Sequence, residues 1–269
     1  MLATMYQTAG NGKSLRLARL GSGPPLVLLH GYPDNLQIWC ELALRLAERF
    51  EVIAFDWPGM GYSEAWPGGA TPTHMAQRLL HLIDQWHLPT VTLVGTDMGA
   101  QPALAFAALY PERIHQLVVM NALVFGDAET SWEIELLRRF GFNRWVLRRF
   151  PRAVFQRAIW TFLPRGVRLA PALRADLWQA FRRDAVRAFI SKMCAGYQGT
   201  LAALPQLYPK VLCPTLILWG EHDRHFPPVH AERLHAALPH SRLHIVPRAQ
   251  HWMVYDLAEP LAARIKEVA

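Results

Sequence analysis

The chain has 269 residues, 52% of them hydrophobic, with mean hydropathy of +0.07 and a formal charge of +7. That composition is globular and long enough for one large core, or a core carrying an inserted subdomain. It excludes two classes: Cys40, Cys194 and Cys213 are odd in number and far apart, fitting neither a disulfide framework nor a metal knuckle, and the apolar runs 25–29 and 215–219 fall far short of the roughly 18–20 residues that span a bilayer.

There is no internal repeat and no low-complexity tract. The opening residues, 1–7, lack the basic start and apolar stretch of a signal peptide, so a soluble, cytoplasmic protein is expected. The positive charge is concentrated in the middle third, from Arg138 to Arg187, where arginines alternate with Trp, Phe, Leu and Ile at helical spacing. This predicts solvated outer faces of amphipathic helices, with a smaller share left for drawing in an anionic substrate. Neither nucleic acid nor a membrane is expected as a partner, and the chain is expected as a monomer or homodimer.

In chain order, Leu15–Leu20 reads as an early strand, 21–24 as a turn and Pro25–Leu29 as a buried strand, continuous in hydrophobicity as parallel sheets require. Helical periodicity over 41–50 leads to a strand at Glu51–Phe55. The spacing predicts a helix over 73–86 with Thr73 as its N-cap. A strand over Thr90–Val94, a helix over 99–109 closed by Tyr110-Pro111, and a strand over 114–120 follow. This βαβ series predicts an α/β fold with a mostly parallel, doubly wound sheet. Residues 125–209 carry helical patterns only. Strands return at Thr215–Trp219 and Arg242–Val246, flanking a helix over 229–238, and a C-terminal helix closes the chain. The block 125–209 is therefore predicted to be a helical cap inserted into a core formed by 1–124 and 210–269, sitting over the carboxyl ends of the strands, where open α/β sheets bind ligands.

Four loop segments carry the chemistry. Val94-Gly95-Thr96-Asp97-Met98-Gly99-Ala100 has the form of a nucleophile elbow, small residues flanking a strand-to-helix turn, with Asp where Ser usually stands. A serine must be deprotonated to attack and suits acyl carbons. A carboxylate is already ionised at neutral pH and can displace a leaving group from saturated carbon, forming an ester on the enzyme. In Trp219-Gly220-Glu221-His222-Asp223, a strand end and a glycine turn lead to Asp223, the choice for orienting a base. Asp127 and Glu129, after the preceding strand, offer the same chemistry, whereas Asn121 at that strand's end does not. In Arg248-Ala249-Gln250-His251-Trp252, after the last strand, His251 is the candidate general base, and the chain order nucleophile, acid, histidine matches the hydrolase order. In His30-Gly31-Tyr32-Pro33-Asp34, the backbone N–H of Tyr32, paired with that of Met98, would form an oxyanion hole.

Together these motifs resemble the α/β-hydrolase-fold epoxide hydrolases and their dehalogenase relatives, over most of the chain and more loosely in the cap. The resemblance implies attack by Asp97, then hydrolysis of the ester by water that His251, oriented by Asp223, deprotonates. It implies no cofactor and no metal. A small apolar epoxide or halogenated substrate is expected, with water as co-substrate. Ala195-Gly196-Tyr197-Gln198-Gly199 is similar to the family's second cap tyrosine region, making Tyr197 the expected acid for the leaving oxygen; where the first cap tyrosine would stand, the chain has Phe140, Phe142 and Trp145. Trp145 and His30 are expected as substrate contacts. Haloalkane dehalogenases typically carry Asn after His-Gly and Trp after the nucleophile, where this chain has Tyr32 and Met98; the fluoroacetate pattern has Arg at the positions of Met98 and Gln101. An epoxide hydrolase giving a vicinal diol is favoured. A haloalkane or haloacid dehalogenase, and a non-catalytic ligand-binding relative, are the alternatives.

Overall fold

The computed structural model describes residues 1–268, with the side chains of Phe140 and Gln198 left aside. Eight strands form one sheet: β1 (Met5–Thr8), β2 (Ser14–Leu20), β3 (Pro25–Leu29), β4 (Glu51–Phe55), β5 (Val91–Thr96), β6 (Ile114–Met120), β7 (Thr215–Gly220) and β8 (Ser241–Val246). Their order is β1-β2-β4-β3-β5-β6-β7-β8, with β1, β2 and β4 paired antiparallel and every pairing from β4 to β8 parallel. The inner strands β3, β5 and β7 are buried almost throughout, which is why they read as continuous apolar runs. β1 is short, mostly exposed and at the sheet edge, and its sequence carries no alternating signal.

The core helices are α1 (Cys40–Leu46), α2 (Pro72–Gln85) and α3 (Ala100–Leu109). α2 begins earlier than its periodicity suggests. Thr71, not Thr73, is the cap, its hydroxyl accepting the His74 N–H. Pro72 fits the first turn because its missing N–H would have had no partner there.

The middle block is helical: α4 (Trp132–Leu137), α5 (Phe140–Arg149), α6 (Pro151–Phe162), α7 (Pro171–Phe181), α8 (Asp184–Ala195) and α9 (Tyr197–Ala203). The turn that follows, Leu204–Lys210, packs against α3, and the Tyr208 hydroxyl donates to the Val124 carbonyl. Helical periodicity alone gives no sign of which layer a helix joins. The chain ends with α10 (Val229–Ala237), α11 (Met253–Asp256) and α12 (Ala258–Val268). Cap and core are tied by Arg16, whose guanidinium sits 3.0 Å from Asp176 of α7 and 3.5 Å from buried Asp56. Arg144, Arg148 and Arg149 lie on exposed faces, as their spacing predicts. Among the described residues, no helix is long and apolar enough to cross a membrane.

Candidate active site

Because β3, β5, β6, β7 and β8 run parallel, the loops that follow them emerge along one edge. That edge gathers His30–Asp34, Asp97, Asn121, Asp223 and His251.

Asp97 follows β5 directly, with a backbone φ of 51°. A non-glycine residue held in that region is under strain that the surrounding structure has to sustain. The turn is possible only because its neighbours are small: a Cβ on Gly99 would lie 2.2 Å from the Leu29 carbonyl oxygen, and one on Gly31 would lie 2.4 Å from Cβ of Asp97.

The Asp97 carboxylate is held asymmetrically. Oδ1 accepts the backbone N–H of Tyr32 at 2.9 Å and that of Met98 at 2.5 Å. Oδ2 lies 3.3 Å from Nε2 of His251. On the other side of the imidazole, Nδ1 is 2.8 Å from Oδ2 of Asp223. Asp223 is itself fixed by backbone N–H groups of His225 and Phe226, at 2.8 and 3.1 Å on its Oδ1. The three residues expected from their motifs thus form one continuous chain of polar contacts. Asp127 pairs with Arg233 at the surface instead.

His251 is buried among Phe162, Phe226 and His225, with ring centroids 4.4, 5.3 and 5.6 Å away. Burial disfavours its imidazolium, but Asp223 and then Asp97 outweigh that cost and push its pKa up to about 10. His225 experiences the opposite balance. Burial and the neighbouring His251 push it down to about 4, so it is a neutral imidazole.

A cavity of about 340 Å³ opens between the cap helices, walled by apolar residues including Ile134, Leu137, Val146 and Val154. Its wall includes Tyr32, Phe162 and His225. Each of these touches the polar chain: Tyr32 through its N–H to Asp97, Phe162 and His225 through their rings against His251. Concave, mostly apolar sites with a few convergent polar groups are the usual form of a small-molecule site.

Three expected site residues fall elsewhere or in other surroundings. Trp145 is 57% exposed on the outer face of α5, edge-on to Phe150, and does not line the cavity; Phe142, Asn143 and Val146 of the same helix do. His30 is fully buried beneath the site. Its Nε2 accepts the Trp57 N–H at 3.2 Å and its Nδ1 faces the Gly31 carbonyl at 2.9 Å, so it braces the loop that presents Tyr32 rather than facing a substrate. Tyr197 is buried with Asp97 nearby, but it is absent from the cavity wall. Burial, with Cys194 and Asp97 nearby, raises its pKa well above the phenol's usual value.

Three further residues of the site were not expected from the sequence. Asn121, fully buried at the end of β6 with φ of 38°, joins three loops: its carbonyl accepts the Asp97 N–H at 3.1 Å, its Oδ1 accepts the Gly220 N–H at 2.8 Å, and its Nδ2 donates to the Gln250 and His251 carbonyls at 3.0 and 2.8 Å. A polar residue closing an apolar strand was its one clue. His225 and Phe162 come to the site by tertiary packing alone.

A family profile for the alpha/beta hydrolase fold matches residues 24–257. Among individual proteins, the chain is 26% identical to 2-hydroxy-6-oxononadienedioate/2-hydroxy-6-oxononatrienedioate hydrolase 2 of Pseudomonas putida, covering 90% of this chain and 86% of that one. Among solved structures, a thermophilic esterase from Thermogutta terrifontis superposes with a TM-score of 0.81 at 26% identity, over 98% of this chain and 97% of the other. A Pseudomonas aeruginosa protein provisionally described as an epoxide hydrolase superposes with a TM-score of 0.86 at 22% identity, over 98% and 95%, a likeness of fold.

Proposed function

The chain belongs to the alpha/beta hydrolase fold family, and from that premise we propose that it hydrolyses its substrate through a covalent ester on Asp97, opening an epoxide to a vicinal diol. One observation carries the reading: Oδ1 of Asp97 occupies the position between the Tyr32 and Met98 N–H groups, while Oδ2 is turned toward His251.

In this reaction Oδ2 attacks a ring carbon and the ring oxygen leaves. Oδ1 becomes the carbonyl oxygen of the resulting ester and already lies between two N–H donors. His251, oriented by Asp223, then takes a proton from water as that water adds to Cγ of Asp97. Negative charge develops on Oδ1, where each such donor is typically worth about 3–4 kcal/mol. The Cγ–Oδ2 bond breaks, and the product departs with Oδ2.

The resting charge arrangement suits this order of events. Ionised Asp97 helps hold His251 protonated. Alkylation removes that charge, weakens the hold on the proton and frees the imidazole to act as a base when a base is required.

A single turnover in oxygen-18 water tests the reading. The first turnover should place unlabelled oxygen in the diol and leave label on Asp97. Incorporation of label directly into the first-turnover product would overturn the ester mechanism. Running haloalkanes and haloacids beside epoxides, with halide release measured, distinguishes the dehalogenase alternative; an absence of both turnover and adduct across the panel would favour the non-catalytic one.

A further inference from the structure

Among the described residues, two of the buried side-chain polar atoms left without a hydrogen-bond partner belong to residues lining the cavity: the Tyr32 hydroxyl and Nε2 of His225. An unpaired buried polar group costs roughly 1–3 kcal/mol, so an unpaired phenol in the wall of a mostly apolar cavity gains most from a substrate atom that accepts its proton. Tyr32 is only 6% exposed and its ring stands edge-on to Phe181, 6.0 Å away. Its own backbone N–H holds Oδ1 of Asp97. One residue therefore holds the carboxylate through its main chain and forms part of the cavity wall.

We propose that the Tyr32 hydroxyl is the proton donor to the oxygen released when Asp97 opens the substrate, filling the role for which residues 140–150 offer no tyrosine. The proposal rests on the Asp97-ester reading above. Two features favour Tyr32 over its neighbours. Tyr197, though buried, does not line the cavity. His225 is neutral, with Nδ1 bound to the Ser131 hydroxyl at 2.7 Å, and approaches the site from the His251 side. Burial of Tyr32, reinforced by Cys194 and Asp97, raises its pKa and keeps the phenol protonated in the resting enzyme, as a donor requires.

The step balances. Oδ2 of Asp97 bonds to the ring carbon as the carbon–oxygen bond breaks, and the electron pair stays on the oxygen, which takes the phenolic proton. An alkoxide is a stronger base than the phenolate left behind. Once the ester has formed, His251 releases its resting proton, which returns through solvent to the phenolate. Neutral His251 then takes one proton of water and passes it to the departing Oδ2, and the other, left on the regenerated Asp97 carboxyl, passes to His251. The sum is epoxide plus water to diol, with the enzyme restored.

Tyr32→Phe removes the hydroxyl and keeps the backbone N–H, so the two half-reactions should respond differently. With styrene oxide as the probe, rapid-quench mass spectrometry reads formation and decay of the Asp97 adduct in wild type, Tyr32→Phe and Tyr197→Phe. Adduct formation in Tyr32→Phe should slow about 10²-fold or more, the lower range for a lost general acid, while adduct decay stays within about threefold. The solvent deuterium isotope effect on adduct formation, present in wild type, should vanish in this variant. Unchanged adduct formation in a folded Tyr32→Phe protein overturns the proposal and leaves the Asp97 reading standing; so does a loss confined to Tyr197→Phe. Equal slowing of both half-reactions assigns Tyr32 a structural role and also overturns it. Turnover in wild type without any Asp97 adduct defeats the underlying reading instead.

Discussion

The backbone N–H of Tyr32 lies 2.9 Å from Oδ1 of Asp97, so the position between two convergent donors is filled by the carboxylate's own oxygen rather than left for a substrate. A serine in the elbow would leave both donors facing a substrate carbonyl. With Asp97 there, the donors orient the carboxylate, and in the proposed reaction they stabilise the charge that later develops on it.

If His251 serves only the second half-reaction, His251→Gln should still form the ester and then stall. Mixing this variant with an epoxide should give about one equivalent of product-linked enzyme by intact mass, with steady turnover reduced roughly 10²–10⁴-fold. A variant that neither reacts nor accumulates adduct would place His251 in the first step instead.

The protonation of His251 should follow the charge on Asp97. Its pKa is raised to about 10 against the cost of burial, with Asp223 and Asp97 as the causes. Asp97→Asn removes one anion, so the imidazole should titrate at lower pH, read by NMR of its ring nitrogens. The ester has the same missing charge. Below the lowered pKa the imidazole is protonated and cannot accept water's proton, so adduct decay should fall as pH drops through that value and level off above it. A decay rate that increases toward acid pH would contradict this assignment.

Asn121→Ala should loosen three loops together. It leaves the Gly220 N–H and the Gln250 and His251 carbonyls without their side-chain partner in a fully buried site. A loss of about 2–4 kcal/mol in unfolding free energy is expected, measured by denaturant titration, together with a fall in kcat exceeding any change in KM. Wild-type stability would mean that water or neighbouring groups replace those bonds.

Gly31→Ala tests the close approach of the Tyr32 loop to the elbow. The added Cβ would lie 2.4 Å from Cβ of Asp97, so one loop has to move. Adduct formation should be largely abolished while circular dichroism remains that of the wild type. Full activity would show that the loop can shift without disturbing Asp97.

Asp256 offers a test away from the chemistry. Burial raises its carboxyl pKa to about 6, and its Oδ1 has no partner. A raised carboxylate pKa means that the folded state resists ionisation, so stability is lost as pH rises from about 4 to above 6. For this partly exposed carboxyl the loss is on the order of 1 kcal/mol. Asp256→Asn should therefore raise Tm at pH 7.5 and leave it unchanged near pH 4. An equal gain at both pH values would point to packing rather than charge.

The parallel strands and the four motif loops were legible because each has a local cause. Pro25–Leu29 and Thr215–Trp219 are uniformly apolar because both faces are buried, and Gly31 and Gly99 are small because a Cβ would collide with neighbouring chain. Asp97, Asp223 and His251 follow strand ends in hydrolase order. Nothing local says that Asn121 joins three loops, that Trp145 faces solvent on the outer side of α5, or that the turn 204–210 packs against α3. The twelve histidines of the chain look alike in sequence, yet His225 becomes neutral beside His251 and His30 becomes a brace beneath the site. The sequence by itself determined the layered fold and the residue types at the strand ends, since burial period and turn sterics act over a few residues. Only the tertiary structure decided which polar atoms meet, which stay unpaired and what lines the cavity, because those depend on through-space contacts between segments more than a hundred residues apart, such as Asn121 with His251.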